Sequence, residues 1–322
     1  MARKSLALAL LILALALLPP WLLSSYRLFQ LTMVVVYAIA ILGLDMLTGY
    51  TGQISLGHGA FYAAGAYTAA ILMASFDIPY WATLPVAAVI CFGFGFAFGF
   101  PALRLGGLYL ALATFGLAIA VPQLLKLKLF EDWTGGVQGI VISKPDPPFG
   151  LALSQDQWLY LFTLAVGVLL FLIARNLLRG RIGLAMRAVR DRPVAAEAMG
   201  VDIAMLKTRT FALSAMYTGI AGALGAIAVQ FVAPDSFSVF VSITLFVGLV
   251  VGGVTSLLGA VLGAIFIVFV PNLADQISKA APGAIYGVIL IGFLMLLPAG
   301  IASLARRALA PRRAMTNQGE TR

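Results

Sequence analysis

The stretch Arg187-Ala188-Val189-Arg190-Asp191-Arg192-Pro193-Val194-Ala195-Ala196-Glu197-Ala198-Met199-Gly200 is a charged island in a chain that is otherwise apolar, and it divides the fold. Asp191 can serve as a helix N-cap, and Pro193 fits a first turn, where its missing N–H costs nothing. Glu197 lies near the positive end of the helix dipole, and Gly200 is a natural stop. These signals predict a helix of about two turns over 191–200, with Ala195, Ala196 and Met199 on one small, smooth face suited to a groove on another protein. The plainer alternative is a solvated basic linker. Basic residues alone fit that, whereas Ala195-Ala196-Glu197 between Pro193 and Gly200 does not, so the island reads as a docking element.

Outward from the island the chain is oil. Of its 322 residues, 62% are hydrophobic and 10% charged, with a mean hydropathy of +1.03, too little polar surface for a soluble domain. An all-α polytopic membrane protein follows, because a crossing helix needs about 20 mostly apolar residues. About ten segments qualify: 5–23, 31–48, 59–76, 84–102, 107–125 and 158–174 before the island, then 210–230, 237–252, 257–272 and 283–304. The first could instead be a cleavable signal, but Pro19-Pro20-Trp21 is a poor cleavage site and a retained span is expected.

Sidedness comes from the cations, which the cytoplasmic side retains. Segment 175–209 holds eight of the 21 Lys and Arg residues, the tail from Arg306 holds five more, and Arg3 and Lys4 lie at the start. All three are expected inside, so each flank of the island needs an even number of crossings. The stretch 237–272 meets this only if Gly252-Gly253-Val254-Thr255-Ser256 is a turn. The net charge of +9 therefore marks topology rather than nucleic-acid binding, and the basic tail 305–322 reads as an anchor on anionic membrane lipid. The whole chain, 1–322, reads as one transmembrane domain. Its loop 126–157, rich in Pro and Gly, either covers the outer mouth or serves as a flexible tether.

The stretch Gly49–Gly59 carries four glycines between two apolar runs, with Gln53, Ser55 and His58 among them. A continuous helix is disfavoured there, and a broken helix lining a wet cavity competes with a simple cytoplasmic hairpin. Gln53, Ser55 and His58 are the candidate pathway residues. His58, the one histidine, has no partner for a metal site and is expected to pack or hydrogen-bond at a helix end rather than relay protons. Asp45 is costly within a span unless paired or near water. Gly93, Gly95, Gly99, Gly219, Gly222, Gly225, Gly259 and Gly263 are expected to permit close helix packing. Gly52-Gln53-Ile54-Ser55-Leu56 faintly resembles Gly253-Val254-Thr255-Ser256-Leu257, which hints at a duplication.

No phosphate-binding P-loop, catalytic triad, metal spacing or dinucleotide fingerprint occurs, so no catalytic, cofactor or metal residue is assigned. Cys91 alone supports no disulfide. A gradient-driven transporter would need intramembrane carboxylates, of which Asp45 and Asp275 are the candidates; a scaffold would not explain the island.

Three motifs then carry a family likeness. The run Arg187–Gly200, with its Ala195-Ala196-Glu197, resembles the cytoplasmic coupling loop by which the membrane subunit of a bacterial ABC importer sits on its ATPase. The run Gly43–Phe61 resembles the signature of permeases for branched-chain and other hydrophobic amino acids, and Thr134-Gly135-Gly136-Val137-Gln138-Gly139-Ile140 matches a further family feature. The resemblance implies an importer permease of the vitamin-B12-importer-like (type II) kind in the bacterial cytoplasmic (inner) membrane. It also implies a second permease subunit, two ATP-binding cassette ATPases and a periplasmic solute-binding protein as partners, and no nucleic acid. On this likeness Arg190, Asp191, Ala195, Ala196, Glu197 and Gly200 are the coupling residues. The substrate it favours is a branched-chain amino acid, with urea, short amides or another small solute as alternatives.

Overall fold

The computed structural model describes residues 17–102, 107–277, 279 and 281–304. Its described helices are α1 (Pro19–Leu22), α2 (Ser25–Thr51), α3 (His58–Phe76), α4 (Tyr80–Ala102), α5 (Leu108–Leu124), α6 (Glu131–Thr134), α7 (Gln155–Arg179), α8 (Arg181–Asp191), α9 (Pro193–Ala198), α10 (Ile203–Val229), α11 (Val239–Gly252), α12 (Leu257–Ile277) and α13 (Pro282–Leu296). Among the described residues eight helical segments are long and apolar enough to cross a membrane, and α5, at 17 residues, is a shorter apolar helix. The chain is a multi-pass all-α protein. Nine of the expected spans coincide with these helices, and most of the first, 5–23, lies outside the described residues. The predicted turn after Gly252 is present, with α11 and α12 on either side.

Two 27-residue helices, α2 and α10, form the buried axis. Around it, α10 packs on α2, α3 and α4, whereas α7, α11 and α12 lie against α2. In lipid there is no hydrophobic drive between helices, so contact depends on shape, and small residues supply it. A Cβ on Gly65 of α3 would overlap the Gly219 carbonyl of α10, and one on Gly263 of α12 would overlap the Gly248 carbonyl of α11. Gly93 departs from the expected pattern: a Cβ there meets nothing within 4 Å, because it lies on the outward side of α4.

The loop after α5 is fastened by its own hydrogen bonds and by a short strand pair rather than being a flexible tether. Thr134 Oγ1 donates to the carbonyls of Leu125 and Phe130, at 2.9 Å each, and Gly135, Gly136 and Gly139 take positive φ. The loop then forms strand β1 (Ile140–Val141), antiparallel to β2 (Phe231–Val232), which follows α10. Gly139 is required at this crossing, since a Cβ would lie 2.5 Å from the Val232 carbonyl oxygen. Lys126 pairs with Asp235 beside it.

Gly65→Ala should therefore destabilise the purified protein by about 1–3 kcal/mol, the usual cost of overpacking. Gly93→Ala, in open space, should be neutral or slightly stabilising through helix propensity. Thermal unfolding in detergent compares the two, and equal shifts would contradict the packing described.

Candidate functional site

The glycine-rich stretch is a break between two helices buried within the bundle. Helix α2 continues through Gly49, contrary to the expectation that the interruption begins there, and stops at Gly52, whose φ of 72° is left-handed. Residues 53–57 are non-helical and α3 starts at His58. Gly52 and Ile54 reach the surface, whereas Gln53, Ser55 and Gly57 are buried, and the backbone freed in the buried part must find partners. Thr51 Oγ1 donates to the Leu47 carbonyl (2.7 Å) and accepts from Gln53 Nε2 (2.9 Å), while Thr48 Oγ1 donates to the Gln53 carbonyl (3.1 Å). The Leu56 N–H reaches Thr114 Oγ1 of α5 (3.0 Å), and the Gly59 N–H reaches Ser242 Oγ of α11 (2.8 Å).

His58 is the centre of this web. Its Nδ1 lies 3.1 Å from Ser55 Oγ and its Nε2 lies 2.6 Å from Ser214 Oγ of α10. Because a carbonyl can only accept, the Ser214 hydroxyl donates to the Gly43 carbonyl (2.6 Å) and must itself accept from His58 Nε2–H. That leaves Nδ1 to accept from Ser55 Oγ–H, which in turn accepts the Gly57 N–H (3.3 Å). For a neutral imidazole the Ser214 relay thus selects the Nε2-protonated tautomer, which ties the break to α2 and α10. This matches the helix-end hydrogen-bonding role expected from sequence. Phe61 and Phe211 flank the ring, with centroids at 5.9 and 6.5 Å.

Gln53, Ser55 and His58 are all buried, at 9%, 1% and 1% exposure, and each is engaged in these bonds. Ser214, Ser242 and Thr114 escaped sequence reading. The available signal was a hydroxyl inside an apolar span, which needs a partner but does not say which. Asp45, 1% exposed, accepts the Thr255 N–H at 2.7 Å and so holds the turn between α11 and α12. Gly52 and Gly253 both cap helices with positive φ, and Ser55 and Ser256 each accept a backbone N–H from the following residues.

The island folds as two helices, not one. Asp191 ends α8 instead of capping the next helix; its carboxylate accepts from Arg190 Nε (2.8 Å), and this hydrogen bond holds its carboxyl below the usual carboxylate range. Arg192 occupies the N-cap of the six-residue α9, so Glu197 falls at the C-terminal end of the dipole and not the N-terminal one. The reason is that Pro193 removes the backbone donor that a continuous helix would need. Gly200, at φ 85°, closes α9: its N–H bonds the Glu197 carbonyl and the Val201 N–H bonds the Ala196 carbonyl, a Schellman arrangement.

The outer face of α9 also differs from expectation. Ala196 is turned inward and buried, whereas Val194, Ala195, Glu197 and Met199 are exposed, Val194 and Met199 by 80% and 85%. Beside them Glu197, Gly200, Val201, Asp202, Ile203, Ala204 and Lys207 line an open groove of about 480 Å³. Asp202 N-caps α10 through the Met205 N–H (2.9 Å).

The structure brings the two sequence-derived stretches together. Arg190 Nη1 donates to the Gly49 carbonyl at the end of α2 (2.8 Å), and its stem crosses Gly52, where a Cβ would lie 3.1 Å from Arg190 Cγ. Among the described residues no group of three or more His, Cys, Asp or Glu could hold a metal ion.

His58→Ala should destabilise the purified protein by about 2–4 kcal/mol, from the lost ring and the stranded hydroxyls of Ser55 and Ser214. Thermal unfolding in detergent tests this; an unchanged midpoint would refute the central role of the imidazole.

The family described as the branched-chain amino acid transport system permease component matches residues 26–299. The chain is 32% identical to the high-affinity branched-chain amino acid transport system permease protein LivM of Salmonella typhimurium, over 95% of this chain and 76% of the relative. Identity to LivM of Escherichia coli and the coverage are the same. A probable branched-chain amino acid transport permease protein LivH of Methanocaldococcus jannaschii is 25% identical over 82% of this chain and 87% of its own length. No solved structure matches. With a family match that spans the helical bundle, the break and the island alike, the chain belongs to the branched-chain amino acid transport permease family.

Proposed function

We propose that the chain is the membrane-spanning subunit of an ATP-driven importer for branched-chain and other hydrophobic amino acids. It crosses the bacterial inner membrane about ten times, as the apolar segments suggest, with both termini cytoplasmic and an architecture of the type II kind. Its companions are a second permease subunit, two ATPases and a periplasmic protein that delivers the substrate. The observation that carries this reading is α9, a short helix closed at its C-terminal end by Gly200, where Val194 and the C-cap residue Met199 stand uncovered beside an open groove. A six-residue helix with two exposed hydrophobic anchors is a costly surface for an unaccompanied protein and a suitable one for a partner.

In this reading the ATPase seats Val194 and Met199, and Glu197, Asp202 and Lys207 on the groove rim set the register. Closure of the ATPases on ATP then displaces α8 and α9 and converts an outward-facing path into an inward-facing one. Nucleotide shifts that equilibrium only through its different affinity for the two states. The buried Gln53, Ser55 and His58 belong to the candidate translocation path. A gradient-driven mechanism has less support: Asp45 is used to hold the Thr255 N–H, and Asp275 is exposed near the end of α12.

Met199→Asp should weaken ATPase association by about tenfold or more, as loss of an interface anchor does. Co-purification of the ATPase from membranes with tagged wild-type and variant chains measures it. Uptake of labelled leucine, isoleucine, valine, urea and short amides by cells carrying the intact importer then separates the amino-acid reading from its alternatives. Full ATPase recovery with Met199→Asp would exclude α9 as the docking element, and uptake of urea alone would replace the substrate.

A further inference from the structure

The arginine that sequence reading places on the ATPase contact faces the other way. Arg190 is the next-to-last residue of α8, and its guanidinium reaches back to the Gly49 carbonyl rather than outward. Its side chain is 33% exposed. This carbonyl belongs to the last turn of α2, where i+4 donors have run out and the helix dipole presents its negative end. A guanidinium there satisfies an orphan acceptor with a charge-assisted bond. Gly52 is the residue over which the arginine stem passes.

Other contacts between α8 and the bundle are of a different kind. Gly183, Met186 and Val189 form its buried face, and apolar packing of that sort is non-directional, so it tolerates sliding. The Arg190–Gly49 bond has a fixed donor, a fixed acceptor and one register. Its acceptor is also well connected. Gly49 lies against Val254, and Asp45, one turn earlier on α2, holds Thr255, so the end of α2 and the α11–α12 turn meet at one point. Gly52 is followed directly in the chain by the break that His58 ties to α10.

We propose that Arg190 is a positioning residue that transmits displacement of α8 and α9 to the C-terminal end of α2, and through it to the break at 52–57 and the turn at 253–256. The proposal rests on the importer reading above. Asp191 has a supporting part: by accepting from Arg190 Nε it fixes the guanidinium plane so that Nη1 faces Gly49. ATPase binding belongs to Val194 and Met199, so the two roles are separable by mutation.

The test uses the complete importer, purified with its companion subunits and reconstituted in liposomes, and reads amino-acid uptake per ATP hydrolysed. Arg190→Ala should assemble with the ATPase yet lower that ratio by about tenfold, the scale of one charge-assisted hydrogen bond. Arg190→Lys, which keeps a donor near Gly49, should recover part of it. A ratio for Arg190→Ala within threefold of wild type, with the ATPase bound, overturns the proposal. Spin labels at Leu184→Cys, an exposed position of α8 outside the docking residues, and Ile54→Cys, with Arg190 intact, give an answer that does not depend on the alanine variant folding. Their separation should stay constant as ATP is added, and a change as large as the movement of α8 overturns the proposal. Absence of any ATPase from the wild-type preparation would instead count against the importer reading itself.

Discussion

Wherever the break between α2 and α3 is buried, the backbone groups it frees must be bonded within the protein, because no helical partner remains for them. That constraint organises the centre of the molecule. The carbonyls and amides of residues 47–59 are met by Thr48, Thr51, Ser55, Thr114, Ser242 and Arg190, side chains drawn from α2, the break itself, α5, α11 and α8. A break inside a bundle is in this sense a junction. It can exist only where several elements converge to complete it, and what completes it is also coupled to it.

The imidazole of His58 shows how strictly such a junction is specified. Its two nitrogens face hydroxyls on different elements, and the Gly43 carbonyl at the end of the relay sets the direction of each proton along it. A network satisfied in one arrangement is rigid, since any half-broken state leaves buried polar groups without partners. The break can therefore move as a unit with α3 and α10 more readily than it can deform. The small residues at the α3–α10 crossing serve the same end, because backbones in direct contact leave no compliant side chains between them.

The loop 126–157 works by the same logic beyond the C-terminal end of α10. Thr134 closes a turn of its own loop, the glycines bend the chain through left-handed conformations, and a two-residue strand pair fastens the loop to the segment that follows α10. Irregular backbone therefore meets α10 twice, near its middle through Ser214 and beyond its C-terminal end through β2. Rotation or translation of that helix must carry these attachments with it.

Much of this was legible without coordinates. Hydropathy alone places the described spans, and Gly252–Ser256 can be identified as a turn from charge parity, because the thickness of a bilayer and the fate of cations near it are properties of residue type, not of packing. Gly200 could be recognised as a helix stop for an equally local reason: its left-handed φ costs a glycine nothing. Gly49 and Asp191 were misplaced because local rules rank competing signals poorly. A glycine in α2 is retained when neighbours such as Val254 crowd it, and a potential N-cap is lost when the preceding helix runs on to claim it. The inward turn of Ala196, the inward reach of Arg190 and the identity of Ser214, Ser242 and Thr114 as partners belong to the tertiary structure alone. Sequence determines which groups must be satisfied, since that follows from their chemistry; which group satisfies which depends on helices far apart in the chain coming within about 3 Å, a distance that only the folded packing sets.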